Sequence, residues 1–168
     1  MKSTNLILTG FMGSGKSTVG RILAKELNTY FIDTDVLIES FENRSISDIF
    51  EKEGEEVFRN MEKRCFEWIK NNVKNTVVSV GGGFVVYIPQ IKQAGTVVYL
   101  KVGFDEILKR MTKEEIEKRP LFQDVKKARE LFEKRDKIYE KLADIIIYND
   151  DIEKSVKKIK EYYAGKFH

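Results

Sequence analysis

The stretch that most constrains how this chain folds lies at residues 6–18, with the sequence LILTGFMGSGKST. An apolar run leads into a glycine-rich turn, which leads into a run typical of a helix. The turn fits the phosphate-binding pattern G-x-x-x-x-G-K-[ST], with a strand before it and a helix after it, as the pattern requires. Glycines let successive backbone N–H groups point inward at phosphate oxygens, which side chains would block. This stretch therefore predicts a nucleotide-phosphate site between a first strand and a first helix.

Lys16 and Ser17 close this loop and predict its chemistry. The loop opens onto a helix N-terminus, where unpaired N–H groups and the helix dipole favour an anion, and Lys16 adds a full positive charge. Ser17 offers a small hydroxyl ligand to Mg²⁺. The alternative is a glycine-rich loop that carries a lysine by chance, although such a match in this strand and helix context is rare. We therefore expect a bound nucleotide together with Mg²⁺.

Short apolar runs with the length and β-branched content of buried parallel strands recur along the chain, separated by longer amphipathic stretches. The runs are 6–9, 30–32, 76–80, 96–101 and 145–148. Alternating strands and helices predict a parallel sheet with helices on both faces and right-handed crossovers. Ligands bind at the carboxyl ends of the strands in such sheets. We predict a single α/β domain over residues 1–168.

Composition excludes several classes of protein. Charged residues make up 34% of the chain but leave a net charge of only +3, without the basic stripe and interleaved aromatics of a nucleic-acid binder. No apolar run reaches the length of a membrane span. The single cysteine, Cys65, leaves no intrachain disulfide, and the single histidine, His168, is too near the end for an expected catalytic role. We therefore expect a cytoplasmic protein that binds neither nucleic acid nor membrane.

Polar and glycine residues follow the second and third predicted strands. Asp33 and Asp35 come after the second, so that one carboxylate is placed to hold Mg²⁺ through water and the other to accept a proton from a substrate hydroxyl. With equal weight, either is the N-cap of a helix that begins near Val36. Gly81 to Gly83 follow the third strand, where either a sharp turn or a ligand close to the backbone requires them.

A helical insertion separates Asp35 from the third strand. Within it, Cys65 and Trp68 recur at helical spacing, which predicts that both belong to the core. Arg59 and Glu62 are three residues apart and close enough to pair. From the residues alone, a surface salt bridge is the favoured interpretation of that pair.

Residues 112–127 are highly charged, with one apolar cluster at 120–122 directly after Arg119. Few apolar residues and many charges are typical of a mobile loop, which in a phosphoryl-transfer enzyme is a candidate lid. The alternative is an ordinary charged surface loop. A long helix follows, in which Arg129 and Arg135 are either surface or site residues.

The set of these motifs resembles the shikimate kinase family over essentially the whole chain. The motifs are residues 10–18, Asp33-Thr34-Asp35, the F-R-x-x-E run at 58–62, the glycines 81–83, Arg119-Pro120-Leu121, and Arg135 with Tyr139. Many kinases and ATPases share the phosphate loop, but its combination with F-R-x-x-E and G-G-G is far more specific. The resemblance implies the nucleoside monophosphate kinase type of P-loop fold. That fold has three α/β/α layers, a five-stranded parallel sheet, a substrate-binding helical region within 34–75 and a lid at 112–127.

The resemblance also implies how ATP and Mg²⁺ are bound. Lys16 and the loop amides hold the phosphates, Ser17 ligates Mg²⁺ directly, and Asp33 supports the metal through water. Arg119 matches the lid arginine that reaches the transferring phosphates, and Arg110 matches a residue that covers adenine. The ATP-binding set implied in this way is Gly13, Ser14, Gly15, Lys16, Ser17, Thr18, Arg110 and Arg119.

For shikimate, the resemblance implies a second set of contacts. Asp35 contacts the hydroxyl groups, including the one that attacks. Arg59 and Arg135 match the pair that clamps the carboxylate, a bidentate task suited to guanidinium groups. Gly81 and Gly82 let backbone donors reach the substrate. Arg59 thereby changes from a surface residue to an expected site residue, with Glu62 as the partner that orients it.

The implied reaction is ATP + shikimate → ADP + 3-phosphoshikimate, a step of aromatic amino acid biosynthesis. Lys16, Asp35 and Arg119 are the implied catalytic residues, and we expect a monomer. One rival is a P-loop kinase of another small hydroxylated metabolite or of a nucleoside monophosphate. A nucleotide-dependent switch ATPase is a weaker rival, because the chain lacks the guanine-type motif N-K-x-D.

The chain departs from the family pattern at two places. Val80 precedes the glycines where many members carry threonine, and we assign no role to it. Asn149-Asp150-Asp151 follows the last predicted strand, near the position where relatives often place an arginine against adenine. Arg110 is then expected to cover only one face of the base, which leaves the base selectivity open.

Overall fold

The computed structural model describes residues 4–167, so that His168 lies outside the described residues. Its strands are β1 (Leu6–Thr9), β2 (Phe31–Asp33), β3 (Val77–Ser79), β4 (Thr96–Lys101) and β5 (Ile145–Tyr148). They form one sheet in the order β2-β3-β1-β4-β5, and every neighbouring pair is parallel. The prediction of a five-stranded parallel sheet is confirmed. The predicted bounds of β1, β4 and β5 match, whereas β2 begins one residue later and ends on Asp33.

Helices connect the strands and cover both faces of the sheet. They are α1 (Lys16–Glu26), α2 (Thr34–Glu42), α3 (Ile46–Glu53), α4 (Glu55–Asn72), α5 (Phe84–Tyr87), α6 (Phe104–Arg110), α7 (Lys113–Glu117), α8 (Val125–Leu142) and α9 (Ile152–Phe167). Two 3₁₀ turns lie at Ile91–Gln93 and Pro120–Gln123. Within residues 4–167, no helix is both long and apolar enough to cross a bilayer.

Alternation along β1 assigns its side chains to two separate cores. Leu6 and Leu8 face the core that α1 and α9 cover, whereas Ile7 faces the core that α4, α5 and α8 cover. Successive side chains of a strand point to opposite faces, so a continuous apolar run buries both of them. The chain therefore has the predicted three α/β/α layers.

The helical region within 34–75 consists of α2, α3 and α4. Ser45 caps α3 by accepting a hydrogen bond from the Asp48 N–H at 3.1 Å, and Gly54, with φ of +88°, separates α3 from α4. Cys65 is buried, as predicted, but the prediction for Trp68 is wrong, because its side chain is 45% exposed. Helical spacing brings Trp68 only to the edge of the buried stripe of α4.

The candidate lid at 112–127 is more ordered than its composition predicts. Thr112 and Glu115 form a capping box at the start of α7. Phe122, in the following 3₁₀ turn, is 2% exposed and packs edge-to-face against Phe11 of the phosphate loop, with ring centroids 6.3 Å apart. One end of the segment is thus anchored beneath the phosphate loop, while the charged α7 faces solvent.

Candidate active site

A cavity of about 530 Å³ lies at the carboxyl edge of the sheet, between the loops that follow β1, β2 and β3. The predicted site residues that line it are Gly13, Gly15, Lys16, Ser17, Thr18, Asp33, Asp35, Gly81, Gly82 and Arg119. Four other predicted residues, Ser14, Arg59, Arg110 and Arg135, do not line it and are described below. Parallel strands deliver their following loops to one edge, which explains why residues distant in sequence meet here.

The phosphate loop holds an open, left-handed backbone. Gly13 and Gly15 have φ of +82° and +91°, values that strain any residue with a side chain. Lys16 begins α1, and its Nζ donates to the carbonyl oxygens of Gly10 at 2.7 Å and Phe11 at 3.1 Å. The ammonium group is therefore held across the mouth of the loop, where it faces the cavity.

Opposing effects act on the pKa of Lys16. Burial lowers the pKa of its ammonium group to about 8, against the attraction of Asp35 and Asp33, and Arg119 and Arg135 lower it further. A burial cost of this kind is relieved when an anion binds beside the lysine. Lys16 is thus a cation that lacks a fully compensating anion, as a phosphate-binding lysine requires.

Asp33 is the N-cap of α2, one of the two roles that the sequence left open, and its second carboxylate oxygen, which takes no part in the cap, stays available for the other. Its Oδ1 caps α2 by accepting hydrogen bonds from the N–H groups of Asp35 at 2.9 Å and Val36 at 3.3 Å. Its Oδ2 accepts a hydrogen bond from the Ser17 hydroxyl at 3.2 Å. A hydroxyl and a carboxylate at this spacing fit Mg²⁺, which takes few protein ligands and retains several waters.

Asp35 lies in the first turn of α2, where its carboxylate faces Gly81. Burial first, and then repulsion by Asp33, raise the pKa of Asp35 to about 6, while Lys16 acts in the opposite direction. A carboxylate with a raised pKa is a better proton acceptor and still ionised at neutral pH. Asp35 therefore combines a position beside the phosphate loop with the basicity that proton removal requires.

Each glycine after β3 makes room for a different charged side chain. A Cβ at Gly81 would lie 2.9 Å from Asp35 Oδ1, and one at Gly82 would lie 3.3 Å from an Arg135 nitrogen. At Gly83 it would lie 2.6 Å from the guanidinium nitrogens of Arg59. Close packing of charged side chains, rather than a left-handed backbone, thus favours glycine at these positions. They bring one carboxylate and two guanidinium groups around a single short loop.

Arg59 is not the surface residue that its spacing to Glu62 favours. Its side chain is 11% exposed, and Glu62, which accepts its hydrogen bond at 2.5 Å, is 1% exposed. Glu55 holds the guanidinium group from another side at 3.2 Å, and the ring of Tyr87 lies beneath it with its centroid at 4.3 Å. These contacts fix the planar fork of Arg59 next to Gly83.

Burial raises the pKa of Glu62 to about 7 in spite of the attraction of Arg59. Its second oxygen, Oε2, is buried without a hydrogen-bond partner among the described residues. The carboxylate orients Arg59 through Oε1, but burial makes its own negative charge costly, so that it compensates the charge of Arg59 only weakly. A guanidinium group in this state favours a further anion.

Two further arginines occupy contrasting positions. Arg135 of α8 lies beside Gly82, and the neighbouring Tyr139 hydroxyl donates to the Gly82 carbonyl oxygen. Arg129 instead pairs with Asp105 at 2.7 Å and lies exposed over the Phe104 ring. The structure thus places Arg135 beside the glycine loop and Arg129 at the surface, while the role of Arg135 in substrate binding stays a prediction.

Arg110 lies outside the cavity at the end of α6. It pairs with Glu106 at 3.3 Å and donates to the main-chain oxygen of Asn149 at 2.9 Å. It is therefore held against the segment after β5, in which the sequence departs from the family pattern. Its expected contact with adenine stays a prediction.

Sequence reasoning gave no role to Tyr87, Tyr139 or Asn149. Tyr87 has no local signal, because it meets Arg59 only through the packing of α5 against α4. Tyr139 recurs one helical turn after Arg135, a spacing that places both on one face of α8. Asn149 directly follows β5, at the sheet edge where ligands bind, and that position was its available signal.

Comparisons with known proteins match this arrangement along nearly the whole chain. The family model described as shikimate kinase matches residues 12–164. A shikimate kinase of Helicobacter hepaticus is 45% identical over 146 residues, which cover 87% of each chain, and one of Clostridium botulinum is 44% identical over 95% of each. The solved shikimate kinase of Acinetobacter baumannii, in complex with shikimate, aligns with a TM-score of 0.87 and 34% identity over 97% of this chain and 94% of its own. By its sequence and by its fold, the chain belongs to the shikimate kinase family.

Proposed function

We propose that this chain transfers the terminal phosphoryl group of ATP to a hydroxyl group of shikimate, giving ADP and 3-phosphoshikimate. The observation that carries the proposal is the convergence, in one cavity, of a phosphate loop with the Asp35 carboxylate and the glycine loop. Family membership and the shikimate-bound relative support the choice of substrate. No observation favours the rival substrates that the phosphate loop alone leaves open.

On the nucleotide side, the loop amides and Lys16 bind the phosphates. Thr18, in the same first turn of α1 as Lys16, lines the cavity that receives them. Ser17 and Asp33 are the residues that would hold Mg²⁺. When bound, the metal neutralises charge on the phosphate oxygens and fixes their orientation. Because the transition state of phosphoryl transfer is loose, this positioning and neutralisation supply most of the rate enhancement.

On the acceptor side, Asp35 orients the attacking hydroxyl and accepts its proton. The carboxylate of shikimate is bound by two arginines. Arg59 packs against Gly83, and Arg135 packs against Gly82. The backbone of Gly81 and Gly82 lines the cavity between these groups. A polyhydroxylated carboxylic acid matches this set, because it presents hydroxyl groups to Asp35 and an anion to the two arginines.

The cytoplasmic location and the monomeric state stay predictions from the sequence. Light scattering coupled to size-exclusion chromatography measures the oligomeric state directly.

The proposal is tested by a coupled ADP-release assay with shikimate, quinate, gluconate and nucleoside monophosphates as acceptors. We expect kcat/KM to be highest for shikimate, and mass spectrometry to show its phosphorylated product. ADP release with shikimate no faster than in buffer, together with release with another acceptor, would assign the chain a different substrate.

Replacement of Arg59 by lysine tests the carboxylate clamp. The charge remains, but the planar fork that Glu62, Glu55 and Tyr87 hold is lost. We expect shikimate binding to weaken by about 1 to 2 kcal/mol, or roughly 5- to 30-fold in Kd, with ATP binding unchanged. Isothermal titration calorimetry measures both affinities.

Arg64→Lys is the matched control, because Arg64 lies on the same helix but packs over Phe41, away from the glycine loop. Its shikimate affinity should equal that of the parent. An Arg59→Lys protein that binds shikimate as the parent does would return Arg59 to a purely structural salt bridge.

Asp35→Asn separates holding the hydroxyl from accepting its proton. We expect kcat to fall roughly 10- to 50-fold with a smaller change in shikimate affinity, since proton removal contributes less than charge neutralisation in a loose transition state. In the parent, activity should fall as the pH drops through about 6, where Asp35 becomes protonated. The variant should lack this acidic limb. Initial rates between pH 5 and 8 measure both effects.

Stability gives an independent readout of the same residue. The pKa of Asp35 is higher in the folded chain than its ordinary value, so the folded state binds more protons between about pH 4 and 6 and loses stability as the pH rises through that range. Asp35→Asn should therefore raise the free energy of unfolding at pH 7, by about 1 to 3 kcal/mol. In the kinetic experiment, an Asp35→Asn protein with normal turnover at saturation but weakened shikimate binding would make Asp35 a binding residue only.

A further inference from the structure

Asn149 connects the segment after β5 to the phosphate loop. Its side chain is 1% exposed, and its Nδ2 donates to the Ser14 carbonyl oxygen at 2.8 Å. Its Oδ1 accepts a hydrogen bond from the hydroxyl of Ser155, itself 1% exposed, at 2.8 Å. A carbonyl only accepts, so the NH₂ group must face Ser14, and the network fixes the orientation of the amide.

The bond from Asn149 to Ser14 fixes the direction of a phosphate-binding N–H group. In a trans peptide the carbonyl and the next N–H point in opposite directions. The Ser14 carbonyl faces Asn149, so the Gly15 N–H points away from Asn149. Gly15 itself lines the phosphate cavity. Its N–H makes no backbone hydrogen bond within residues 4–167, as expected of a donor kept for an anion.

Gly15 and Asn149 are matched in space as well. A Cβ at Gly15 would lie 2.7 Å from Asn149 Nδ2, so the close approach of this amide excludes a side chain there. The main-chain oxygen of Asn149 also accepts from Arg110 at 2.9 Å. One buried residue thus joins the phosphate loop, the first turns of α9 and the end of α6 that leads into the lid.

We propose that Asn149 is a positioning residue for nucleotide binding, which aims the Gly15 N–H at the phosphates by holding the Ser14 carbonyl. The proposal deepens the proposed function, since it rests on this loop binding the phosphates of ATP. Asparagine suits the task because an aspartate would turn an acceptor toward the Ser14 carbonyl and add negative charge beside the phosphates. Alanine would remove the donor without adding charge.

The test measures ADP binding by calorimetry without shikimate, and KM for ATP and for shikimate, in Asn149→Ala and Asn149→Asp. We expect the Kd for ADP and the KM for ATP to rise about 3- to 10-fold in the alanine variant and more than about tenfold in the aspartate variant. The KM for shikimate should stay within twofold. A role confined to folding would not separate the two substrates in this way.

Asn5→Ala is the matched control. Asn5 is likewise buried, and its Nδ2 donates to the carbonyl oxygens of Val73 and Ala94 at the opposite edge of the sheet. It should lose stability but bind ADP within twofold of the parent. Parent-like ADP affinity in Asn149→Ala, or an equal loss in Asn5→Ala, would overturn the proposal.

Ser155→Ala covers the case in which the Asn149 variants do not fold. It removes only the hydroxyl that orients the amide, and should weaken ADP binding about two- to threefold. Unchanged ADP affinity in this variant would then refute the proposed role. A parent that binds ADP but does not phosphorylate shikimate would contradict the proposed function alone, because ADP binding still decides the role of Asn149.

Discussion

Replacement of Lys16 by alanine is expected to lower turnover by at least about 100-fold in a protein that remains folded. Its Nζ spans the mouth of the phosphate loop, where it bonds the carbonyl oxygens of Gly10 and Phe11. Burial lowers its pKa to about 8, so the ammonium group is charged but poorly compensated at neutral pH. Negative charge on the transferring group relieves that cost, and the gain is greatest in the transition state.

Steady-state kinetics with saturating ATP and shikimate measure this loss, and circular dichroism verifies the fold. Lys25→Ala is the matched control, because Lys25 lies in the last turn of the same helix, exposed and distant from the loop. It should leave kcat unchanged. A folded Lys16→Ala protein with near-normal turnover would remove phosphoryl transfer at this loop from the proposed function.

The sheet was predictable because both of its faces are buried. A strand covered on both sides is a continuous apolar run, as at β1, and such runs stand out from the charged helices around them. The phosphate loop was equally predictable from the sequence, because the left-handed φ values at Gly13 and Gly15 strongly favour glycine at both positions. Here the local sequence and the tertiary structure impose the same requirement.

The glycines after β3 are explained only by the tertiary structure. Their positions indicated a site, but their physical cause is the space taken by Asp35, Arg135 and Arg59, which come from three different helices. Nothing local to residues 81–83 reports those neighbours. Arg59 is a similar case, because its spacing to Glu62 is the same for a surface pair and for a buried one, and only the packing of α4 separates the two.

Composition alone also misleads at Trp68, where the core prediction is wrong, and it overstates the mobility of the candidate lid. A large aromatic residue at helical spacing favours a core position, yet the buried stripe of α4 ends short of Trp68. The charged stretch 112–127 favours mobility, yet one buried residue, Phe122, anchors it in an aromatic cluster with Phe11 and Phe104. A single apolar residue such as Phe122 changes the mean hydropathy of a charged stretch very little, so composition does not reveal the anchor.

That anchor bears on the role of Arg119, which lies three residues before Phe122 and lines the cavity. Its guanidinium group is near enough to Lys16 to lower the pKa of that residue. Two cations held this close repel each other until an anion comes between them. Arg119 is thus placed to act on the transferring phosphoryl group, while the base of the lid stays attached to the phosphate loop.

We therefore expect Arg119→Ala to lose roughly 100-fold or more in turnover, while shikimate affinity stays within a few-fold of the parent. The arginine neutralises charge that develops only during transfer, so its loss should appear in kcat rather than in shikimate binding. Steady-state kinetics and calorimetry separate the two quantities. Limited proteolysis with both ligands present should still show protection of residues 112–127, because the Phe122 anchor is unchanged.

Arg129→Ala is the matched control, since Arg129 lies near the lid but pairs with Asp105 at the surface. Its turnover should equal that of the parent, because its guanidinium group packs over the Phe104 ring instead of facing the cavity. Should Arg119→Ala keep its turnover within about threefold of the parent, Arg119 is a surface residue of an ordinary loop. The transferring group would then be neutralised by Lys16 and Mg²⁺, with Lys118, the other lid cation that lines the cavity, as the next residue to replace.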